Sequence, residues 1–272
     1  MVRLAVRVHR ADADLVLAEL LTLAPGGVEE VDVSPGVVEY AVYGAPGELP
    51  ELPDLRAAAG AALVEVVTTE VADDWADRWR AFHRPVEIAG RLFVRPPWEP
   101  ARDRLLDLVI DPGQAFGTGA HHTTRLCLEL LAGLEPGGPA VDLGCGSGVL
   151  AIAAARLGWA PVLGVDHEVE SVRATGENAA VNAVEVEARR FDLVRGGPVP
   201  TAPLVLANLL RPLLLCVARA GFAGPAPRTL IASGLLASEA DEIAAAFARH
   251  GLAEADRRLS GEWAALRLAA IG

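Results

Sequence analysis

The residues best suited to chemistry stand in one run, Val141-Asp142-Leu143-Gly144-Cys145-Gly146-Ser147-Gly148-Val149. An apolar strand pattern leads into glycines at alternate positions, and a helical pattern follows. Glycines in such a turn let the backbone approach a ligand closely, where a side chain would clash. The helix beyond offers unpaired N–H groups at its start. Downstream, Asp166 ends the next strand in Leu163-Gly164-Val165-Asp166. An acid there can accept both hydroxyls of an adenosine ribose. The pattern points to a bound adenosine, carried by a dinucleotide or by S-adenosylmethionine. Gly146-x-Gly148-x-x-Ala151 fits the loose dinucleotide fingerprint. A tight turn that binds nothing is the plainer alternative.

Two features favour the methyl donor. Asp142 stands just upstream of Gly144, where methyltransferases of the Rossmann-like class carry an acid. The chain also holds no second nucleotide half of the length a dinucleotide fold needs. Composition narrows the chemistry further. All 24 basic residues are arginine, against 36 acids, for a net charge of −12. With no lysine the chain has neither a Schiff-base amine nor the P-loop cation; codon bias is the plain explanation. A pI near 5.0 argues against broad, sequence-independent nucleic-acid binding. Cys127, Cys145 and Cys216 are few, odd in number and far apart, which suits a reducing cytosol. The six histidines lack ligand spacing, so no metal is expected.

The elements around this turn follow from periodicity. Val2–Val8 alternates as a half-buried strand, with Arg3 and Arg7 where a signal peptide would have to be apolar. No stretch is free of charges and Pro/Gly breaks for the length of a transmembrane helix. A helix over 13–23, a hairpin of Val28–Ser34 and Val37–Val42, an alanine-rich helix over 55–62 and a strand over 63–69 complete a small α+β module of residues 1–70, resembling a ferredoxin-like unit. Residues 71–104 read as a linker: an amphipathic helix with Trp75, Trp79 and Phe82 on one face, then a stiff connector holding Pro85, Pro96, Pro97 and Pro100, either hinge or fixed spacer. Over 105–272, strands and helices alternate, implying a mostly parallel sheet. Strands are expected at 140–143, 162–166, 186–191, 204–207 and 229–232, and helices at 149–157, 169–183 and 238–250. A hairpin of 252–259 and 263–269 closes the chain.

Further motifs carry a family resemblance. Asp111-Pro112-Gly113-Gln114-Ala115-Phe116-Gly117-Thr118-Gly119-Ala120-His121-His122-Thr123-Thr124 resembles the DPGxAFGTGxHxTT motif of the PrmA family, the methyltransferases of ribosomal protein L11. Residues 142–158, Gly164–Asp166, Glu177-Asn178-Ala179, Ala207-Asn208-Leu209, Gly261-Glu262-Trp263 and the run from Asp74-Trp75 to Trp98 are similar to the family's other landmarks. The resemblance covers roughly residues 70–270 strongly and the first 70 weakly. It implies a Rossmann-like class I methyltransferase domain of α/β class, mostly parallel with an antiparallel C-terminal hairpin, behind the small ferredoxin-like domain.

It also implies S-adenosylmethionine as cofactor and, as substrate, lysine ε-amines or the N-terminal α-amine of ribosomal protein L11, in the cytoplasm and without direct nucleic-acid or membrane contact. Carried onto this chain, cofactor contacts fall on Thr123, Gly144, Gly146, Asp166 and Asn208. Thr123 offers a hydroxyl to the methionine moiety, and Asn208 a carbonyl to an attacking amine or to the donor's ammonium. His121 is a candidate base or, alternatively, the organiser of its loop; Asn208 is taken to align the amine and His121 to shape the loop. Gly117 and Gly119 suggest a lid over the donor, and residues 1–70 a reader of the protein substrate. Ala202-Pro203 and Arg195-Gly196-Gly197-Pro198 depart from the family pattern and put the adenine side in question, where Asp192 is either an adenine contact or a solvated loop acid. Competing readings are another amine substrate, a donor-binding module without catalysis, and a nicotinamide-dependent oxidoreductase.

Overall fold

The computed structural model describes residues 2–13, 16–17, 20, 28–34, 36–44, 60–70, 84–111 and 121–271. The expected helix at the linker (73–82), most of those at 13–23 and 55–62, and the proposed lid around Gly117 and Gly119 lie outside them. The chain divides into two compact units, Met1–Phe82 and His83–Gly272.

In the first unit, β1 (Val2–His9), β2 (Glu29–Ser34), β3 (Val37–Gly44) and β4 (Leu63–Glu70) form an antiparallel sheet of order β2-β3-β1-β4. Alternation along β1 buries Leu4, Val6 and Val8 against Val38 and Tyr40 of β3. On the opposite face Glu39 is buried between two arginines, with Arg3 at 2.6 Å and Arg7 at 2.7 Å. Burial alone would raise the Glu39 carboxyl. Hydrogen bonds from Arg3 and Arg7 outweigh it and hold the group below its ordinary value.

The second unit opens with a three-stranded sheet of β5 (Val86–Ile88), β6 (Leu92–Arg95) and β7 (Leu106–Val109). This corrects the reading of the proline-rich stretch as a connector. Ile88, Leu92, Val94 and Leu108 are buried in the main core. The prolines flank the strands: Pro85 precedes β5, and Pro96, Pro97 and Pro100 follow β6, so none removes a ladder hydrogen bond. The Arg95 guanidinium forks onto Asp107 of β7 at 2.8 and 2.7 Å.

Then follow α1 (His122–Ala132), β8 (Ala140–Leu143), α2 (Val149–Leu157), β9 (Val162–Asp166), α3 (Val169–Val181), β10 (Glu187–Arg190), β11 (Leu204–Asn208), α4 (Arg211–Ala220), β12 (Thr229–Leu236), α5 (Ala240–Ala248), β13 (Leu252–Ser260) and β14 (Trp263–Ala270). The strands form one mixed sheet of order β10-β9-β8-β11-β12-β14-β13, parallel from β10 to β12 and antiparallel through β14 and β13. One core packs on each face, with Leu126, Leu130 and Ile152 from α1 and α2 on one and Leu214, Val217, Ile243 and Phe247 from α4 and α5 on the other. Helix α4 escaped the sequence reading because Pro212 looks like a breaker. It sits in the first turn, where no intrahelical N–H is lost. Among the described residues no helix is long and apolar enough to cross a membrane.

The order reverses between β8 and β11. In an open α/β sheet this reversal opens a crevice at the carboxyl ends of the strands. Asp142, Asp166 and Asn208 lie at the ends of β8, β9 and β11 that face it.

Candidate active site

The turn from β8 into α2 is built by glycines in left-handed conformations, with φ of +74° at Gly144 and +83° at Gly148. A Cβ on Gly144 would lie 2.4 Å from Leu209 Cδ2, and one on Gly148 would lie 3.0 Å from Thr175. The positive φ at both positions favours glycine whatever binds there, and Thr175 closes off the space beside Gly148 as well. The turn is fastened by Gly144 and Cys145 N–H donating to the Val165 carbonyl at 2.8 and 3.0 Å. The Thr175 hydroxyl donates to the Gly146 carbonyl at 3.0 Å.

Asp166 is buried, and two backbone groups aim its carboxylate. Gly146 N–H donates to Oδ2 and Glu168 N–H to Oδ1, each at 3.0 Å. Gly146 thus orients Asp166 through its own N–H. His167 Nδ1 lies 3.3 Å from Oδ1. An ionised carboxylate has about four lone-pair sites, so capacity remains for hydroxyl donors.

Asp142 is buried deeper. Its Oδ2 accepts Ala151 N–H at 3.1 Å, and its Oδ1 has no partner among the described residues. Burial pushes this carboxyl up to about 7, the Ala151 N–H opposes the rise and the Asp166 charge adds to it. A folded-state value above the ordinary 3.8 favours folding below that pH, and the benefit disappears as pH rises through 7. The Tm of the wild type minus that of Asp142→Asn is therefore expected to fall by several degrees between pH 4 and 7. A difference constant across that range contradicts the assignment. Burial, followed by the Asp142 charge, also pushes the Cys127 and Cys145 thiols well above their usual range, so neither is a ready nucleophile.

At the end of β11, Asn208 Nδ2 donates to Thr124 Oγ1 at 3.1 Å. The bond fixes the amide and leaves its carbonyl oxygen as the uncommitted end. Leu209, next in sequence, donates its N–H to the Ser233 carbonyl at 2.9 Å. Gly234 covers it from β12 with φ +84°; a Cβ there would sit 2.5 Å from the Leu209 carbonyl oxygen. In the sequence Thr124 stood only as the end of the 111–124 motif, and Gly234 was not singled out. A lone glycine inside a strand signals a bulge or a close backbone approach, and Gly234 is both.

His121 caps α1, with Nδ1 accepting Thr123 N–H at 3.3 Å and lying 2.8 Å from Thr123 Oγ1. Its ring packs edge-on to Trp263 at 5.2 Å. Burial, with His122 adding, holds it below the ordinary imidazole value. Thr123 is itself buried with its hydroxyl against His121, so the structure joins Thr123 to His121 and Asn208 to Thr124.

On the adenine side, Asp192 Oδ1 accepts Val194 and Arg195 N–H at 2.8 and 3.1 Å, which holds its carboxyl below the usual range. The unusual loop has a local cause: a Cβ on Gly196 would lie 2.6 Å from the Phe191 ring. Pro203 precedes β11 and gives its carbonyl to Thr229 N–H at 3.0 Å, so the strand begins intact. A cavity of about 570 Å³ lies at the opposite, N-terminal ends of β8 and β9 beside Pro139 and Pro161, away from all these groups.

The acceptor-rich crevice suits a ligand carrying positive charge and hydroxyls. Asp142 Oδ1 is a buried acceptor orphaned among the described residues, Asp166 keeps lone pairs, and Asn208 presents a carbonyl. Comparison with known proteins shows the family. Residues 53–270 match the family described as Ribosomal protein L11 methyltransferase (PrmA). A protein named Ribosomal protein L11 methyltransferase from Pelotomaculum thermopropionicum is 41% identical over 202 residues, 71% of this chain and 65% of that protein. One of the same name from Geobacter sulfurreducens is 42% identical over 228 residues, 79% of this chain and 73% of that protein. The crystal structure of a ribosomal protein L11 methylase from Lactobacillus delbrueckii subsp. bulgaricus superposes with a TM-score of 0.59 at 28% identity, covering 69% of this chain and 99% of that one. The chain belongs to the ribosomal protein L11 methyltransferase (PrmA) family.

Proposed function

We propose that this chain moves methyl groups from S-adenosylmethionine to lysine ε-amines, the N-terminal α-amine, or both, of ribosomal protein L11. The supporting observation is the convergence of Asp142, Asp166 and Asn208 at adjacent strand ends in a chain of this family. When bound, S-adenosylmethionine supplies an electrophilic methyl group on a sulfonium. Asp166 holds the ribose hydroxyls, and the buried Asp142, which accepts Ala151 N–H, fixes the start of α2 behind the glycine turn. Gly144 and Gly146 shape that turn, and Thr123 with His121 forms the wall at the start of α1. The Asn208 carbonyl accepts an N–H of the incoming amine and points its lone pair. A free lysine costs about 4.6 kcal/mol to deprotonate at pH 7, and a desolvating crevice lowers that cost. No dedicated base is then required, and His121, committed to Thr123, organises the helix start.

The first unit reads the protein substrate. Its strand order β2-β3-β1-β4 supports the ferredoxin-like assignment. The enzyme works in the cytoplasm, where its substrate is made.

The deciding experiment incubates the full chain with labelled donor and purified L11, followed by mass spectrometry. Mass gain on L11 amines is expected; donor binding with no gain moves the substrate elsewhere, and calorimetric binding of NAD instead rejects the cofactor. Asp166→Ala is expected to weaken S-adenosylmethionine binding about 100-fold, equal to losing two modest hydrogen bonds to a charged acceptor. Calorimetry that finds unchanged affinity removes Asp166 from the site.

A further inference from the structure

We propose that Asn178 is a positioning residue for methyl transfer: its single carboxamide sets the glycine turn and the start of the 111–124 motif in one register. The proposal rests on the functional reading above.

Sheet geometry creates the need. β7 pairs with β6 along one edge only, and Ile110 N–H continues that pairing to the Arg95 carbonyl at 2.9 Å. The alternate residues, Val109 and Asp111, present their N–H and C=O groups to the other side. Two asparagines of α3 occupy that side in place of a strand. Asn182 Oδ1 accepts Val109 N–H at 2.8 Å, and its Nδ2 donates to the Val109 carbonyl at 2.6 Å. One helical turn earlier, Asn178 Oδ1 accepts Asp111 N–H at 3.0 Å, and its Nδ2 reaches the Asp111 carbonyl at 3.4 Å. The i, i+4 spacing puts both on one helix face, and both are buried.

Asn182 Nδ2 makes its remaining bond within α3, to the Asn178 carbonyl at 2.8 Å, whereas Asn178 reaches out of the helix. Its Nδ2 also donates to the Ser147 carbonyl at 2.9 Å. Ser147 is fully buried between Gly146, whose N–H aims Asp166, and Gly148, which starts α2. The carboxamide therefore touches the cofactor turn with its donor and Asp111 with its acceptor. Alanine supplies neither. Aspartate supplies the acceptor but faces the Ser147 carbonyl with a second oxygen unless it is protonated, when its O–H restores a donor.

The test uses the full chain as wild type, Asn178→Ala, Asn178→Asp and Asn182→Ala. Readouts are Tm, the Kd for S-adenosylhomocysteine by calorimetry, and KM for S-adenosylmethionine against kcat with L11. Both alanine variants are expected to lose Tm. Only Asn178→Ala is expected to raise Kd and KM at least 10-fold, with Asn182→Ala within about 2-fold of wild type. If Asn178→Ala does not fold, Asn178→Asp decides: its Kd relative to wild type should improve as pH falls and its carboxyl protonates. Asn178 variants with wild-type Kd, equal Kd losses in Asn178→Ala and Asn182→Ala, or an Asn178→Asp ratio flat with pH overturn the proposal. A wild-type chain that binds no S-adenosylhomocysteine overturns the functional reading instead.

Discussion

Asn208→Ala is expected to lower kcat about 100-fold or more while changing the Kd for S-adenosylhomocysteine only a few-fold. The argument starts from Thr124. Its buried hydroxyl accepts an N–H of Asn208 Nδ2 at 3.1 Å, which holds the amide in place and turns its carbonyl away from Thr124. The carbonyl is the end left to meet an amine, and an aligned lone pair is what in-line displacement requires. Truncation removes the carbonyl and leaves Thr124 in place. Thr124→Val, which frees the amide to rotate, should cost less, about 10-fold in kcat. His121→Ala serves as the contrast: an organiser of the α1 start should lose Tm and some cofactor affinity yet keep kcat within a few-fold at saturating donor. Wild-type kcat in Asn208→Ala, measured by initial rates on L11, would falsify the alignment role. A kcat collapse in His121→Ala would restore the imidazole as base.

The largest effect on folding is expected at Gly234. Its φ of +84° is strained for any L side chain, and an added Cβ would sit 2.5 Å from the Leu209 carbonyl oxygen, 2.7 Å from its carbon and 2.9 Å from its nitrogen. All three are backbone atoms, so no rotamer change relieves the contact. Gly234→Ala should cost at least about 3 kcal/mol, read as a lowered denaturant midpoint. Gly251 has a similar φ of +73° but no atom within 4 Å of an added Cβ. Gly251→Ala should cost only the conformational part, about 1 kcal/mol. Equal losses at the two positions would mean that the contact with Leu209 is unimportant. Because Leu209 adjoins Asn208, surviving Gly234→Ala protein should also turn over slowly.

What the sequence disclosed depended on how local each signal was. Strand β8, helix α2 and strand β9 run over 140–143, 149–157 and 162–166, as periodicity and glycine punctuation indicate. The C-terminal hairpin was equally plain because its turn, Ser260-Gly261, is local. Strands β5 and β6 were hidden because prolines beside them looked like a spacer, and only burial against α1 and α2 reveals them as core. Asp166 was found from its place after a strand. Thr124 and Asn178 stood inside motifs with no role assigned and Gly234 was not singled out, since their partners Asn208, Ser147 and Leu209 lie far off in sequence. Glycines 144 and 148 stand out in the sequence, but the neighbours that crowd a Cβ there, in α3 and in the segment after β11, are distant in sequence and could not be read from it.

The arginine forks have one more consequence. Arg95 grips Asp107 through two nitrogens, and Arg3 and Arg7 converge on Glu39. Lysine, a single point charge, cannot reproduce the fork, so replacing these residues would not be conservative. With arginine in place of every lysine, no side chain of this protein carries a primary amine. Amine-selective labels applied to a mixture of this chain with another protein will therefore mark side chains of the other protein alone. Apart from its N-terminal amine, the chain is then a silent background on which protection of another protein's lysines can be read.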